Sequence, residues 1–235
     1  YLSSLEHPET GLLDIPKSHW AESAYVDTLG LLSRYGQSTA INALYYEVLQ
    51  KAAEIAARLG DGANADQWRS KAVQVRSRIN QELYLPSEHR YASTIFEGKR
   101  EPPTPHAQAW AIAYGIPEAH EQELVVKELL ELVSTDPANP NIEIYGMFWV
   151  LEALGKTGRV PDGLEIIRQY WGRALDLGAT TWWEGFNAHR SFTGSLSHGW
   201  GSGPTWFLTT FLLGTRQTGP EDLSLIHISE PTRPY

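Results

Sequence analysis

The chain has 235 residues, 42% hydrophobic and 20% charged, a composition ordinary for a globular protein and a length for one large domain or two small ones. Its formal net charge of −9 opposes binding to nucleic acid or to an anionic membrane, both of which need basic surface. It has no cysteine, which excludes disulfides, thiolate metal ligands and a cysteine nucleophile, and no apolar run approaches the roughly 18–20 residues of a membrane span.

The first residues, YLSSLEHPETGLL, have neither the basic stretch nor the apolar core of a signal peptide. They also lack an initiator methionine, so the chain is expected to begin inside a domain, and its compartment is left unassigned. Over 39–59 the spacing predicts a helix, with Ile41, Leu44, Tyr45, Val48, Ala52, Ile55 and Leu59 at steps of three and four on one face. Glu47, Lys51, Glu54 and Arg58 form the opposite face with favourable i,i+4 pairs, and Gly60 is a natural stop. A second helix is expected near 63–84, with Trp68, Ala72, Val75, Ile79 and Leu83 on one stripe. Tyr91 and Ile95–Phe96 then suggest a short hairpin.

Further helices are predicted near 104–115, 118–134, 142–155, 161–175 and 204–213, with Pro117, Pro161 and Pro204 where a first helical turn tolerates proline. They alternate in character. EAHEQELVVKELLELVS and DGLEIIRQYWGRAL are amphipathic and charged, whereas NIEIYGMFWVLEALG is apolar nearly all round and PTWFLTTFLLG has no charge. A helix apolar on all sides is buried, and one with a single stripe covers it. The alternation describes helical hairpins in two concentric layers, an all-α (α/α)6 toroid, over residues 1–214. A closed ring of six hairpins needs more helices than these, so the barrel is expected to be incomplete at its N-terminal side, this chain forming its later half. A helical solenoid is disfavoured, because no repeat recurs at a period of about 34 residues. Residues 215–235 hold no helical period and read as an unstructured tail. The string SLIHISEPTRPY resembles a translated sequencing-adapter read-through, so about 223–235 read as non-native.

Nine tryptophans stand out, and five of them (Trp171, Trp182, Trp183, Trp200, Trp206) fall within 36 residues. Aromatic faces pack in cores and also stack on the C–H faces of sugars. Within the cluster, GATTWWEGFNAHRSFTGSLSHGWGSGPTWF places Glu184 behind two tryptophans, on the connection between two predicted helices, where a rigid scaffold commonly holds catalytic groups. In an extended chain Trp182 and Trp183 point to opposite sides, one inward and one toward a pocket. An apolar wall beside Glu184 is expected to raise its carboxyl pKa, which suits acid–base chemistry. Gly185 leaves room for a ligand. His198 is placed to bond a sugar hydroxyl, to orient Glu184, or to sit satisfied in the core. Gly199, Gly201 and Gly203 do not form a phosphate loop, having no preceding strand and no following lysine, and they read as permitting a tight turn into the last helix. Ser195 and Ser197 beside His198 lack a nucleophile elbow.

YWGRALDLGATTWWEGF followed by GSLSHGWGSGPTWFL resembles the end of the catalytic domain of family 78 glycoside hydrolases, the α-L-rhamnosidases. STAINALYYEVLQKAAEIAARLGD and HAQAWAIAYGIPE resemble earlier helices of the same barrel, and the resemblance spans residues 10–214. It implies an inverting glycosidase acting on terminal α-L-rhamnosides or a similar sugar. Two carboxyl groups would stand about 6.5–9.5 Å apart, one protonating the leaving oxygen and the other activating water. It further implies Glu184 as general base, His198 as a histidine near the sugar hydroxyls, and Trp20 and Trp183 as aromatics lining the sugar subsite.

The chain departs from the family in lacking the upstream Asp-Cys-Pro segment and its acid. Glu143 and Asp27 remain as substitutes, each expected instead at the surface or at a helix end, and His106 is expected in a cap or core role. A fragment with a base and no acid is expected to hydrolyse poorly. The competing reading is a non-catalytic glycan-binding or scaffolding α/α module. A terpenoid cyclase is disfavoured by the absence of DxDD and DDxxD runs. Carbohydrate is the expected partner, no cofactor is implied, and no metal-ligand spacing is present.

Overall fold

The computed structural model describes residues 1–17, 26–27, 35–190 and 194–215. Among these, seven α-helices follow one another: α1 (Thr39–Arg58), α2 (Gly62–Glu82), α3 (Pro105–Ala113), α4 (Gln122–Leu132), α5 (Ile144–Lys156), α6 (Val160–Asp176) and α7 (Gly203–Phe207). The last continues as a π-helical turn, Leu208–Leu212. Thr104 caps α3 through its hydroxyl and Asp61 caps α2 through its carboxylate, each accepting an amide N–H that the first turn leaves without a partner. Pro161 and Pro204 sit in the first turns of α6 and α7, where no N–H is needed. Pro117 is a correction: α4 starts only at Gln122, so this proline lies within the α3–α4 link and does not open the helix.

Between α2 and α3 the chain makes two antiparallel hairpins. One pairs β2 (Tyr84–Leu85) with β3 (Arg90–Tyr91), the other β4 (Thr94–Phe96) with β5 (Lys99–Arg100). β1 (Gln37–Ser38) adds to β4, so the start of α1 is tied to the second hairpin. The turn between β4 and β5 has positive φ at both Glu97 and Gly98, the two-residue geometry whose twist matches that of paired strands.

The alternation of helix character corresponds to two layers. α1 packs on α3, α3 on α5 and α5 on α7, and each of the first three also packs on the helix that follows it, α2, α4 or α6. All nine residues of α3 are buried, as are nine of the thirteen in α5, whereas α2, α4 and α6 bury a stripe. These are successive hairpins, each with one helix inside and one outside. The inner surfaces merge into one core containing Trp110, Met147, Leu151, Trp171 and Phe207. Among the described residues no helix is long and apolar enough to cross a membrane.

In α2 the expected stripe is the buried one: Ala72, Val75, Ile79 and Leu83 are at most 2% exposed. In α1 it is rotated. The helix buries Ala40, Ala43, Tyr45, Leu49, Ala53 and Ala56 and leaves Leu44, Val48, Ile55 and Leu59 exposed. Alanines let the two long helices of this hairpin lie close. Asn42 joins the buried face because its side-chain amide satisfies a backbone segment: Oδ1 accepts from the Leu13 amide at 2.7 Å, and Nδ2 donates to the carbonyls of Leu13 and Ser38. A polar side chain with that many partners is stable where an unpaired one would not be.

The rotation has a measurable consequence. Ile79→Ala should lower the unfolding free energy by about 2–5 kcal/mol, as for other fully buried large-to-small changes. Ile55→Ala, at 58% exposure, should stay within about 0.5 kcal/mol of the parent in urea titrations.

Candidate active site

The connection from α6 to α7 folds back on itself. The Glu184 amide donates to the Ser195 carbonyl at 2.9 Å, the His198 amide to the Trp182 carbonyl at 2.8 Å, and the Thr181 hydroxyl to the Leu196 carbonyl. Two indoles fasten this folded loop. Trp200 Nε1 donates to the Glu184 carbonyl at 2.7 Å, and Trp171 Nε1, from the buried face of α6, donates to the Gly201 carbonyl at 2.8 Å. Gly201 must be glycine for close approach, since a Cβ there would lie 2.5 Å from the Trp183 carbonyl oxygen and 3.0 Å from Trp182 Cβ.

Glu184 is therefore fixed at both of its peptide groups. Its carboxylate oxygen Oε2 accepts from the Ser195 amide at 2.7 Å, which orients the side chain and leaves Oε1 for another partner. The residue is half-buried. His198 does not reach the carboxylate. It caps the 3₁₀ turn Gly199–Gly201, its Nδ1 accepting from the Trp200 amide, and its ring stacks on Trp200 with centroids 4.1 Å apart. Trp200 also meets Tyr145, from the first turn of α5, at 5.5 Å. His198, Trp200 and Tyr145 thus make a continuous aromatic surface beside Glu184.

Neither tryptophan of the Trp-Trp pair forms that surface. Trp183 is 5% exposed, packed with Ala174 and Ala188 and against the His189 ring at 5.0 Å. With so little of its ring open it supports the loop and offers no face to a sugar, which corrects its expected place in the subsite wall. Trp182 is half-buried against the main core. Trp20 lies outside the described residues.

The structure brings three further groups to this loop that their sequence positions gave no reason to join. Asp27 and His106 were expected at a surface or helix end and in a cap or core role. Asp27 is instead 0% exposed, whereas His106, 1% exposed, lies in the core, and they pair directly, His106 Nε2 to Asp27 Oδ2 at 2.6 Å. The same carboxylate oxygen accepts from the backbone amide of Glu143 at 2.9 Å, just ahead of α5. Asp27 Oδ2 thus meets both the imidazole and that amide. Gly146 makes room for the pair: a Cβ there would sit 2.6 Å from Asp27 Oδ2 and 3.0 Å from the His106 ring. Glu143 in turn points its carboxylate at the loop, Oε2 accepting from the Phe186 amide at 3.0 Å, two residues beyond Glu184. Burial raises the Glu143 pKa above the ordinary glutamate range. The negative charge of Asp27 adds to the rise, and the Phe186 amide opposes it. Tyr145 was missed as a site residue because it is unremarkable within its own segment, while Trp200 was noted only as one of the clustered tryptophans and Glu143 only as a substitute acid.

The chain matches the bacterial alpha-L-rhamnosidase 6 hairpin glycosidase domain over residues 13–211. No curated protein sequence matches it. Among solved structures it is similar to a rhamnosidase from Klebsiella oxytoca with rhamnose bound, at a TM-score of 0.73 and 23% identity, over 90% of this chain and 40% of that one. At that identity the likeness speaks for the fold alone. It is similar also to a GH78 family rhamnosidase of Bacillus sp. GL1, at a TM-score of 0.71 and 26% identity, over 88% of this chain and 22% of that one. The chain spans less than half the length of either structure.

The state of Glu143 can be read from stability. A carboxyl whose folded pKa is raised contributes stability at low pH that is lost as pH rises through the folded value. Glu143→Gln removes that loss, so the melting temperature of the variant relative to the parent should climb as pH goes from about 4 to about 8. A difference independent of pH in thermal scans would mean that the fold does not raise the pKa of this carboxyl.

Proposed function

The chain belongs to the bacterial α-L-rhamnosidase six-hairpin glycosidase domain family, and from that membership we propose that it serves the hydrolysis of terminal α-L-rhamnosides or a closely similar sugar, with Glu184 as general base. The observation that carries the reading is the way Glu184 is held. Its peptide groups are pinned to Ser195 and Trp200, and one carboxylate oxygen is satisfied by the Ser195 amide while the other is left to engage water. A general base works only when its acceptor oxygen is within hydrogen-bond reach of the proton it takes. His198, Trp200 and Tyr145, each partly exposed, put an aromatic cluster beside Glu184, the kind of side chain on which a sugar ring packs.

In the inverting scheme the base draws a proton from water as that water attacks the anomeric carbon, and an acid on the opposite face protonates the leaving oxygen. Asp27 does not suit the acid role, because it is wholly buried and engaged by His106 and the Glu143 amide. Glu143 holds its carboxylate against the Phe186 amide. We assign the acid, on the family resemblance rather than on this geometry, to the Asp-Cys-Pro segment that the sequence lacks, and the chain alone is expected to turn over aryl rhamnosides weakly or not at all. Membership of the glycosidase domain family supports carbohydrate as the partner here.

Two outcomes test the reading. Robust hydrolysis of 4-nitrophenyl α-L-rhamnopyranoside by this chain, abolished by Glu184→Gln, would show that the acid lies within it. In a parent protein with the complete ring, Glu184→Gln should lower kcat by at least about 10²–10⁴-fold, and NMR of the fresh product should show the inverted anomer. Retained sugar binding with no hydrolysis by that parent would favour a glycan-binding module instead.

A further inference from the structure

Glu143 occupies the position from which the loop carrying Glu184 is set. It stands just ahead of α5, an inner helix, where its own amide is tied to the fully buried Asp27–His106 pair. Its side chain reaches from that anchored backbone to the Phe186 amide. Gly185, the residue between Glu184 and Phe186, has no side chain to keep it away, and a Cβ there would come within 3.2 Å of Glu143 Oε2. Beyond Phe186 the contacts return to the wall: Phe186 is 2% exposed against Tyr170 and Trp171, and Arg173 donates to its carbonyl at 3.1 Å. Glu143 is thus the link from the α3–α5 core to the peptide that immediately follows Glu184.

Resting on the reading of Glu184 as the base, we propose that Glu143 is a positioning residue for it, a clamp that fixes the 184–186 backbone and through it the direction of the Glu184 carboxylate. The feature that makes it one is reach and not charge. Only a side chain of glutamate length brings an acceptor oxygen from the start of α5 to the Phe186 amide. The Asp27–His106 pair is the footing of the clamp, since it fixes the backbone from which Glu143 extends.

The test separates reach from charge with two variants of this chain. Glu143→Gln keeps the length and an acceptor oxygen, and Glu143→Asp keeps the carboxylate but is one methylene short. A role confined to the helix end would favour Asp, the better N-cap residue, over Gln. Positioning predicts the reverse. The readout is amide hydrogen exchange at Phe186 and at Ser195, whose N–H sits on Glu184 Oε2, followed with the Trp200 indole resonance. In Glu143→Asp both amides should exchange at least about tenfold faster and the indole resonance should move, whereas Glu143→Gln should stay within about threefold of the parent. Faster exchange at Phe186 with Ser195 unchanged in Glu143→Asp would overturn the proposal, as would equal behaviour of the two variants. Titration of the parent chain with L-rhamnose runs alongside. Absence of binding there would count against the functional reading, while the exchange data would still decide whether Glu143 sets the loop.

Discussion

The α6–α7 loop keeps its shape because two indole N–H groups find backbone carbonyls in it. Trp171 reaches from inside α6 to Gly201, and Trp200 turns back to Glu184. Each such bond contributes only about 0.5–1.5 kcal/mol net, but an indole N–H buried without an acceptor costs about 1–3 kcal/mol. The loop therefore has few alternative foldings that keep both rings satisfied. Burial of the rings supplies the larger share of the driving force, and the two hydrogen bonds select the register. Glu184 sits where both effects meet, with its carbonyl under one indole and its carboxylate on the Ser195 amide that faces it across the loop.

Beneath the loop lies a polar pair that a helical core would ordinarily exclude. Asp27 and His106 are both fully buried, and moving a charged group out of water is unfavourable unless it is paired and hydrogen-bonded. Here the Asp27 oxygen receives both the imidazole and the Glu143 amide, in a space that Gly146 leaves open. The same contacts join α3 and the start of α5 to Asp27. The polar network thus ties the core to the end of the helical layers where Glu184 projects.

Much of the architecture was legible from residue patterns. Alternation of amphipathic and nearly all-apolar helices gave the two layers, because a helix surrounded by protein carries little charge, whereas one facing water carries it on one side. The motif around Glu184 and the resemblance it carries located the loop. The pattern failed in α1, where Leu44, Val48 and Ile55 looked like the core face and alanines form it instead. Periodicity finds an apolar stripe, but which of two adjacent stripes is buried depends on how closely the neighbouring helix approaches. It failed again at Trp183, since a Trp-Trp pair in extended chain presents one ring to each side and nothing local says which side is the pocket.

What the sequence determined by itself was local in origin: helices from the spacing of apolar residues, layers from their charge, and an acid on a loop from its flanking residues. What only the tertiary structure decided was which groups share that loop. Asp27 meets His106 across 79 positions and the Glu143 amide across 116, and Tyr145 meets Trp200 from a different hairpin. Several of these residues were noted one by one, but their pairings were not legible, because a buried pair or an aromatic contact is a property of two surfaces brought together. The ring of hairpins creates it by returning distant helix ends to one side.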